Sequence, residues 1–230
     1  MLEIKCFEFG PFGTNTYVVS TDAGIILIDP ACSNQYEQQV LYNYINSSLS
    51  GAKHSVIPSL IIVATHGHLD HLWGAAWATE QWHTPVLMHE ADIPMAKDMQ
   101  SQYDLFGIRA TPQPFPIEPL NSQLSTFNSQ LSTFNFQLST FNFQLSTFNS
   151  QLSILHTPGH TPGSVCLYWP DEKTLISGDT LFRMGYGRTD LPGGNMAELI
   201  SSLGQLFTLP SDVKVYPGHG DFTTIGAEKR

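Results

Sequence analysis

Thr65-His66-Gly67-His68-Leu69-Asp70-His71 decides how this chain is read. Four metal-capable side chains fall within six residues, directly after the apolar run Leu60-Ile61-Ile62-Val63-Ala64. A β-branched run of that kind reads as a buried strand. Beyond its end, His66 and His68 stand two apart and can project the same way. Asp70 and His71 open a helical pattern (Leu72, Ala75, Ala76, Ala78, Thr79) and reach the same spot from another direction. Imidazole and carboxylate together suit Zn or Fe, whereas Ca or Mg would take oxygen donors alone. One histidine in a polar loop would mean little. His-x-His-x-Asp-His at a strand end reads as a metal site.

Such a site needs further donors, and three candidates lie far downstream. His160 sits in Thr157-Pro158-Gly159-His160-Thr161-Pro162-Gly163, Asp179 in Ser177-Gly178-Asp179-Thr180, and His219 in Pro217-Gly218-His219-Gly220. Each follows a short apolar run and is set in Gly or Pro turn chemistry, the context of a strand-end loop. Open α/β sheets collect function beyond their strand ends.

The order of these elements resembles the metallo-β-lactamase superfamily. The stretch from Leu181 to Gly194, with Gly187-Arg188-Thr189-Asp190, resembles its glyoxalase II-like hydrolases, as does the ending Gly218-His219-Gly220-Asp221-Phe222. The resemblance implies a four-layer αββα sandwich of α/β class. It also implies a two-metal centre: His66, His68 and His160 on one ion, Asp70, His71 and His219 on the other, and Asp179 between them. Two Zn ions are the expected cofactor, with Fe or Mn as substitutes. The reaction implied is hydrolysis of a small-molecule thioester such as lactoylglutathione by a bridging hydroxide, with Asp70 and Asp179 as the catalytic carboxylates. Asp29 is expected near the site without binding metal. Thr65, Thr161, Arg188 and Asp190 are candidates for fixing the imidazoles from behind. Longer relatives bind glutathione with basic residues on a C-terminal helical domain, and this chain ends soon after His219, so the chemistry is better supported than the glutathione. The rival readings are a mononuclear-iron persulfide dioxygenase and a metal-binding fold that has lost its activity.

Composition narrows the partners. The 230 residues, 41% hydrophobic, fit one globular domain spanning 1–230. Ten basic residues against twenty acidic give a net charge of −10, which disfavours nucleic acid or an anionic membrane surface. No signal peptide and no apolar run of membrane-spanning length are visible, and Cys6, Cys32 and Cys166 are odd in number, so a cytoplasmic protein with core cysteines is expected. Oligomeric state is not legible.

Residues 121–155 differ from the rest: five seven-residue units of the form Asn-x-Gln-Leu-Ser-Thr-Phe follow one another, the last closing as Ile154-Leu155. The Leu/Phe spacing is a 3–4 heptad, but Ser, Thr and Asn fill the other positions and no charges flank the seam, against a coiled coil. Near-identity of the copies reads as tandem duplication inserted within the domain. Only the last copy, Gln151 to His156, is expected to serve as a strand.

Elsewhere the pattern predicts strands at Ile4–Phe9, Asn15–Ser20, Gly24–Asp29, Pro85–Met88, Ser164–Trp169, Thr174–Ser177 and Val213–Tyr216. Helices are expected from a Ser33 cap through about Leu49 (apolar stripe Tyr36, Val40, Leu41, Tyr44, Ile45), from Glu90 to about Met99, and from a capping box at Asn195 and Glu198 to about Phe207. His54, His83 and His89 lie outside any ligand-like context.

Overall fold

A computed structural model describes residues 2–21, 24–51, 59–120 and 152–229. The first half builds a sheet from β1 (Glu3–Phe9), β2 (Thr14–Thr21), β3 (Gly24–Ile28), β4 (Ser59–Val63), β5 (Val86–Met88) and β6 (Ile117–Pro119), side by side in chain order. β1, β2 and β3 pair antiparallel; β3 through β6 run parallel. The second half gives β7 (Ser153–His156), β8 (Val165–Trp169) and β9 (Thr174–Gly178), a small hairpin of β10 (Leu181–Phe182) and β11 (Gly185–Tyr186), then β12 (Lys214–Pro217) and β13 (Thr223–Thr224). Its sheet has the order β13-β12-β9-β8-β7, with β9 and β12 parallel.

Strand periodicity of two explains the layers. In β3, Ile26 and Ile28 face the space between the sheets, where they meet Ile61 and Val63 of β4 and Val165, Leu167 and Trp169 of β8. The alternate residues Ile25 and Leu27 face outward onto Leu41 and Ile45 of α1 (Gln35–Gly51) and Ala75 and Ala78 of α2 (Ala75–Trp82). On the far side, Cys166 and Tyr168 of β8 and Val215 of β12 pack with Leu199, Leu203 and Leu206 of a later helix, Met196–Leu206. Three apolar layers between four structural ones make an αββα sandwich.

Several boundaries differ from the expectation. The motif helix starts only at Ala75; Asp70 and His71 lie in preceding turns. Those turns are fixed by Leu72 N–H donating to Leu69 O and Gly74 N–H to Pro30 O, and a Cβ at Gly74 would overlap Cys32. Helix α1 is capped by Asn34, whose Oδ1 accepts from Glu37 N–H, while Ser33 hydrogen-bonds the Glu37 carboxylate. Tyr36 is 79% exposed and leaves the stripe to Leu41 and Ile45. The segment after β5 is a 3₁₀ turn (Glu90–Asp92), then α3 (Ile93–Lys97) and α4 (Met99–Leu105), broken at Asp98 where ψ is 46°. The helix at Met196–Leu206, α5, has the Asn195 cap, but Asn195 N–H donates to Gly159 O, so no reciprocal bond to Glu198 closes a box. The chain ends in a short α6, Ile225–Glu228. Cys32 and Cys166 are buried, whereas Cys6 is exposed on the outer strand β1. In the repeat, residues 121–151 lie outside the described residues; the last copy supplies β7, with Ile154 buried between the sheets.

Candidate metal centre

The seven sequence candidates converge at one edge of the sandwich. His66, His68, Asp70 and His71 follow the end of β4; Asp179 follows β9, His219 follows β12, and His160 lies in the loop after β7. β7, β9 and β12 run the same way, so their C-terminal ends share an edge of the second sheet, and the end of β4 meets that sheet where Val165 N–H donates to Thr65 O. Three overlapping donor groups result: His66, His68 and His160; His66, His71 and Asp179; Asp70, His71 and His219. Within each, the ligand atoms lie within 4.8 Å of one another. Asp179 stands between the groups, Oδ1 at 3.3 Å from His71 Nε2 and Oδ2 at 3.5 Å from both His160 Nε2 and His219 Nε2.

The imidazoles are fixed from behind. His71 Nδ1 donates to Asp29 Oδ2 (2.9 Å), His160 Nδ1 to Arg188 O (2.6 Å), and His219 Nδ1 to Gly13 O (3.3 Å). Thr65 Oγ1 donates to Asp29 Oδ2 at 2.8 Å, which leaves its lone pair to accept from His66 Nδ1 at 3.0 Å. A ring that donates through Nδ1 presents a bare lone pair at Nε2. Four rings therefore aim Nε2 inward. His68 turns the other nitrogen in, Nδ1, which lies 2.9 Å from His160 Nε2.

Orphaned atoms test whether a cation fits. His66 Nε2, His71 Nε2 and Asp179 Oδ1 are buried and make no hydrogen bond among the described residues, although the last two face each other at 3.3 Å. Such atoms are rare and costly unless something charged meets them. Burial, followed by its histidine neighbours, pushes His66 well below its ordinary pKa; burial and His160 bring His68 down to about 3. Both are neutral bases. Burial opposes the charge of Asp70 and Asp179, yet the adjacent histidines hold both carboxyls ionised below their usual range. His71 is also opposed by burial but is raised by Asp70, Asp179 and Asp29 around it. His219 is likewise opposed by burial and raised by Asp70 and Asp179. A divalent cation would accept the lone pairs of His66 and His68 and displace the protons that His71 and His219 hold beside these carboxylates.

Two buried carboxylates outside the donor set hold the loops. Asp29 has φ 52°, a strained value for a non-glycine residue, fixed by Thr16 Oγ1, which donates to Asp29 O at 2.6 Å. There it takes Thr65 N–H as well as the Thr65 hydroxyl and His71. Asp92, fully buried, accepts Gly67 N–H (2.8 Å), Thr161 Oγ1–H (2.6 Å) and Gly163 N–H (2.6 Å), joining the His66–His71 loop to the His160 loop. Sequence reasoning missed Asp92, which stands in an ordinary-looking Glu90-Ala91-Asp92-Ile93-Pro94 turn. It also missed Thr14, whose hydroxyl donates to Asp70 Oδ2 at 2.8 Å. Of the four expected supports, Thr65 acts as foreseen and Thr161 acts through Asp92. Arg188 contributes its carbonyl, while its side chain forms a bidentate surface pair with Asp190 at 2.6 Å.

The Metallo-beta-lactamase superfamily profile matches residues 9–129 and 147–219. The chain belongs to the metallo-β-lactamase superfamily. It is 32% identical over 223 residues to the probable metallo-hydrolase YqgX of Bacillus subtilis, covering 96% of this chain and 91% of that one. Identity to the hydroxyacylglutathione hydrolase GloC of Haemophilus influenzae is 36% over 174 residues, 74% of this chain and 73% of the relative. Among solved structures, TTHA1623 in a di-iron-bound form superposes with a TM-score of 0.76 at 31% identity, covering 98% of this chain and 97% of that one. Membership makes the chain a metallo-hydrolase of a superfamily that binds divalent metals. Among the described residues, no helix is long and apolar enough to cross a membrane.

Proposed function

We propose that this superfamily member is a dinuclear thioester hydrolase of the glyoxalase II type. The observation that carries the reading is the placing of Asp179 between two histidine-rich groups, its buried Oδ1 facing His71 and its Oδ2 facing His160 and His219. His66, His68 and His160 would hold one divalent ion, Asp70, His71 and His219 a second, and Asp179 would span both. Zinc suits this set, and the di-iron form of TTHA1623 fits the rule that imidazole sites accept several metals. When bound, the ions supply a water of lowered pKa and an electrophile for the developing oxyanion.

The chain's own residues prepare that site. Asp29 and Thr65 hold His71 and His66 in the tautomer that points Nε2 inward. Arg188 O and Gly13 O do the same for His160 and His219. Asp70, its side chain 18% exposed against 10% for Asp179, is the more accessible carboxylate and would orient a water by accepting a hydrogen bond from it. Thr14 fixes Asp70 through Oδ2. Similarity to GloC supports a thioester as the bond cleaved.

The test couples metal analysis with thioester hydrolysis and oxygen uptake. Two ions per chain with thioester cleavage are expected. One iron with oxygen consumption would replace the reading by a dioxygenase, and metal without turnover of any thioester would end it.

A further inference from the structure

Beside the donor groups lies a cleft of about 400 Å³, a volume within the usual range for small-ligand pockets. His68 lines it and is shared with the donor groups. Its sides are apolar: Met95 from α3, Leu105 at the end of α4 with Phe106 just after it, and Leu191 and Pro192 from the loop that follows β11. Phe12, from the turn between β1 and β2, meets Phe106 edge-on at a centroid distance of 5.5 Å and extends this wall. Phe12, Leu105 and Phe106 are 43%, 58% and 40% exposed, an uncovered apolar rim at the mouth of a polar centre.

The polar groups of the cleft are mostly committed. Gln102 takes Leu69 N–H through its oxygen, and its amide donates to Gly67 O and Met95 O. Ser101 and Asp98 remain, and among the described residues no Lys or Arg lines the cleft. Lys97 and Arg109, close in sequence to the lining, face other depressions, and Arg188, three residues before Leu191, is paired with Asp190. A glutathione arm brings one ammonium, which Asp98 could meet, and two carboxylates, which this lining would leave without a cation.

From this lining we infer that the substrate is a thioester whose arm beside His68 is uncharged and apolar, and that the protein discriminates against glutathione thioesters. The inference rests on the thioester-hydrolase reading above for the bond cleaved, and on the cleft alone for the arm.

Two measurements on the metal-replete protein separate these. In turnover, the lactoyl thioester of benzyl mercaptan should exceed lactoylglutathione at least about tenfold in kcat/KM, the scale of discrimination by an apolar pocket. In binding, calorimetry with the non-hydrolysable probes benzyl methyl thioether and S-benzylglutathione should favour the neutral one. Leu105→Arg, at an exposed position, should reverse that order while leaving metal content unchanged. Tighter binding of S-benzylglutathione by the wild type, with no response to Leu105→Arg, would overturn the inference. Preferential binding of the neutral probe with no thioester hydrolysed would sink the hydrolase reading and leave the cleft's preference standing.

Discussion

The two sheets furnish the metal centre in different ways. The first supplies four donors from a single loop after β4, within six residues of sequence. The second supplies His160, Asp179 and His219 from three separate strand ends, spread over sixty positions. A local loop can be preformed by its own turns, whereas dispersed donors exist as a group only once the sheet has paired. The two contributions are then stitched together at the shared edge. Val165 N–H donates to Thr65 O at 2.9 Å, Asn15 N–H to Gly218 O at 2.7 Å, and the Tyr17 hydroxyl to Pro217 O at 2.6 Å. The centre therefore depends on sheet-to-sheet alignment more than on either loop.

Breaking this division at Asp179 should have the largest effect. It is the second sheet's donor that faces both groups, and Gly178 before it (φ 48°) packs so close to Thr65 that a Cβ there would lie 2.6 Å from Thr65 Oγ1. Asp179→Ala removes the carboxylate without adding bulk. Metal content should fall below one ion per chain by elemental analysis, and thioester turnover by more than about 100-fold, beyond the 10–100-fold typical of disturbed outer partners. Full activity with two ions bound would show that the sheets need no shared donor.

The same contrast explains what could be read from the sequence. The positions of β3, β4 and β8 follow from their continuous apolar runs, but which residues face the space between the sheets does not, because both faces of these strands are buried. The His66–His71 loop is recognisable because its donors are adjacent. His160, Asp179 and His219 are legible only as similar strand-end contexts; nothing in their spacing states that β9, β12 and β7 point the same way. Periodicity places the start of α2 too early, because it cannot show that Asp70 and His71 forgo helical hydrogen bonds to face the centre. Asp92 was invisible for a related reason. Two of its three partners are the backbone N–H groups of Gly67 and Gly163, and a backbone donor has no sequence signature.

Removing one dispersed donor at the rim should be milder. His219 is the most exposed of the histidine donors, its side chain 28% accessible, and it belongs to only one of the three donor groups. His219→Ala should lower the stoichiometry from two ions to one and slow hydrolysis at least about tenfold. Wild-type rates with two ions retained would return His219 to the role of a loop residue. Any variant at the neighbouring Gly218 would be less informative, because a Cβ there overlaps Asp179 Oδ1.

Asp92 probes the seam between the halves without touching a donor atom. It accepts three hydrogen bonds, and the close approach of Gly163, where a Cβ would lie 2.6 Å from Asp92 Cγ, shows how tightly it is enclosed. Asp92→Asn keeps the shape but turns one acceptor into a donor facing donors. The expected cost is about 1–3 kcal/mol of stability, the usual scale for an unsatisfied buried group, with roughly tenfold weaker metal binding. Chemical denaturation and metal titration measure the two separately. Lost stability with unchanged metal affinity would mean that Asp92 braces the loops without positioning the donors.

The smallest effect is expected from the connection that joins the two halves in sequence. The chain leaves the first sheet at β6 and Leu120 and enters the second at β7, with the seven-residue repeat between them. The superfamily match passes over residues 130–146 within it. If alignment of the sheets rests on the buried layer between them, to which Leu120 and Ile154 both contribute at the two ends of this connection, its length matters little. Loop-closure entropy changes by only about 0.6 kcal/mol for each doubling of length. Deleting Asn121 through Phe148, the first four copies, should therefore leave metal content and turnover within about twofold of wild type. It should also improve solubility, because the copies are uncharged, aromatic and free of Pro and Gly, a composition prone to self-association. Sedimentation and elemental analysis of the shortened chain check both expectations. Loss of folding or of metal on deletion would place the repeat in the machinery that aligns the sheets, and would show that the two halves are held in register by their connection as well as by their contacts.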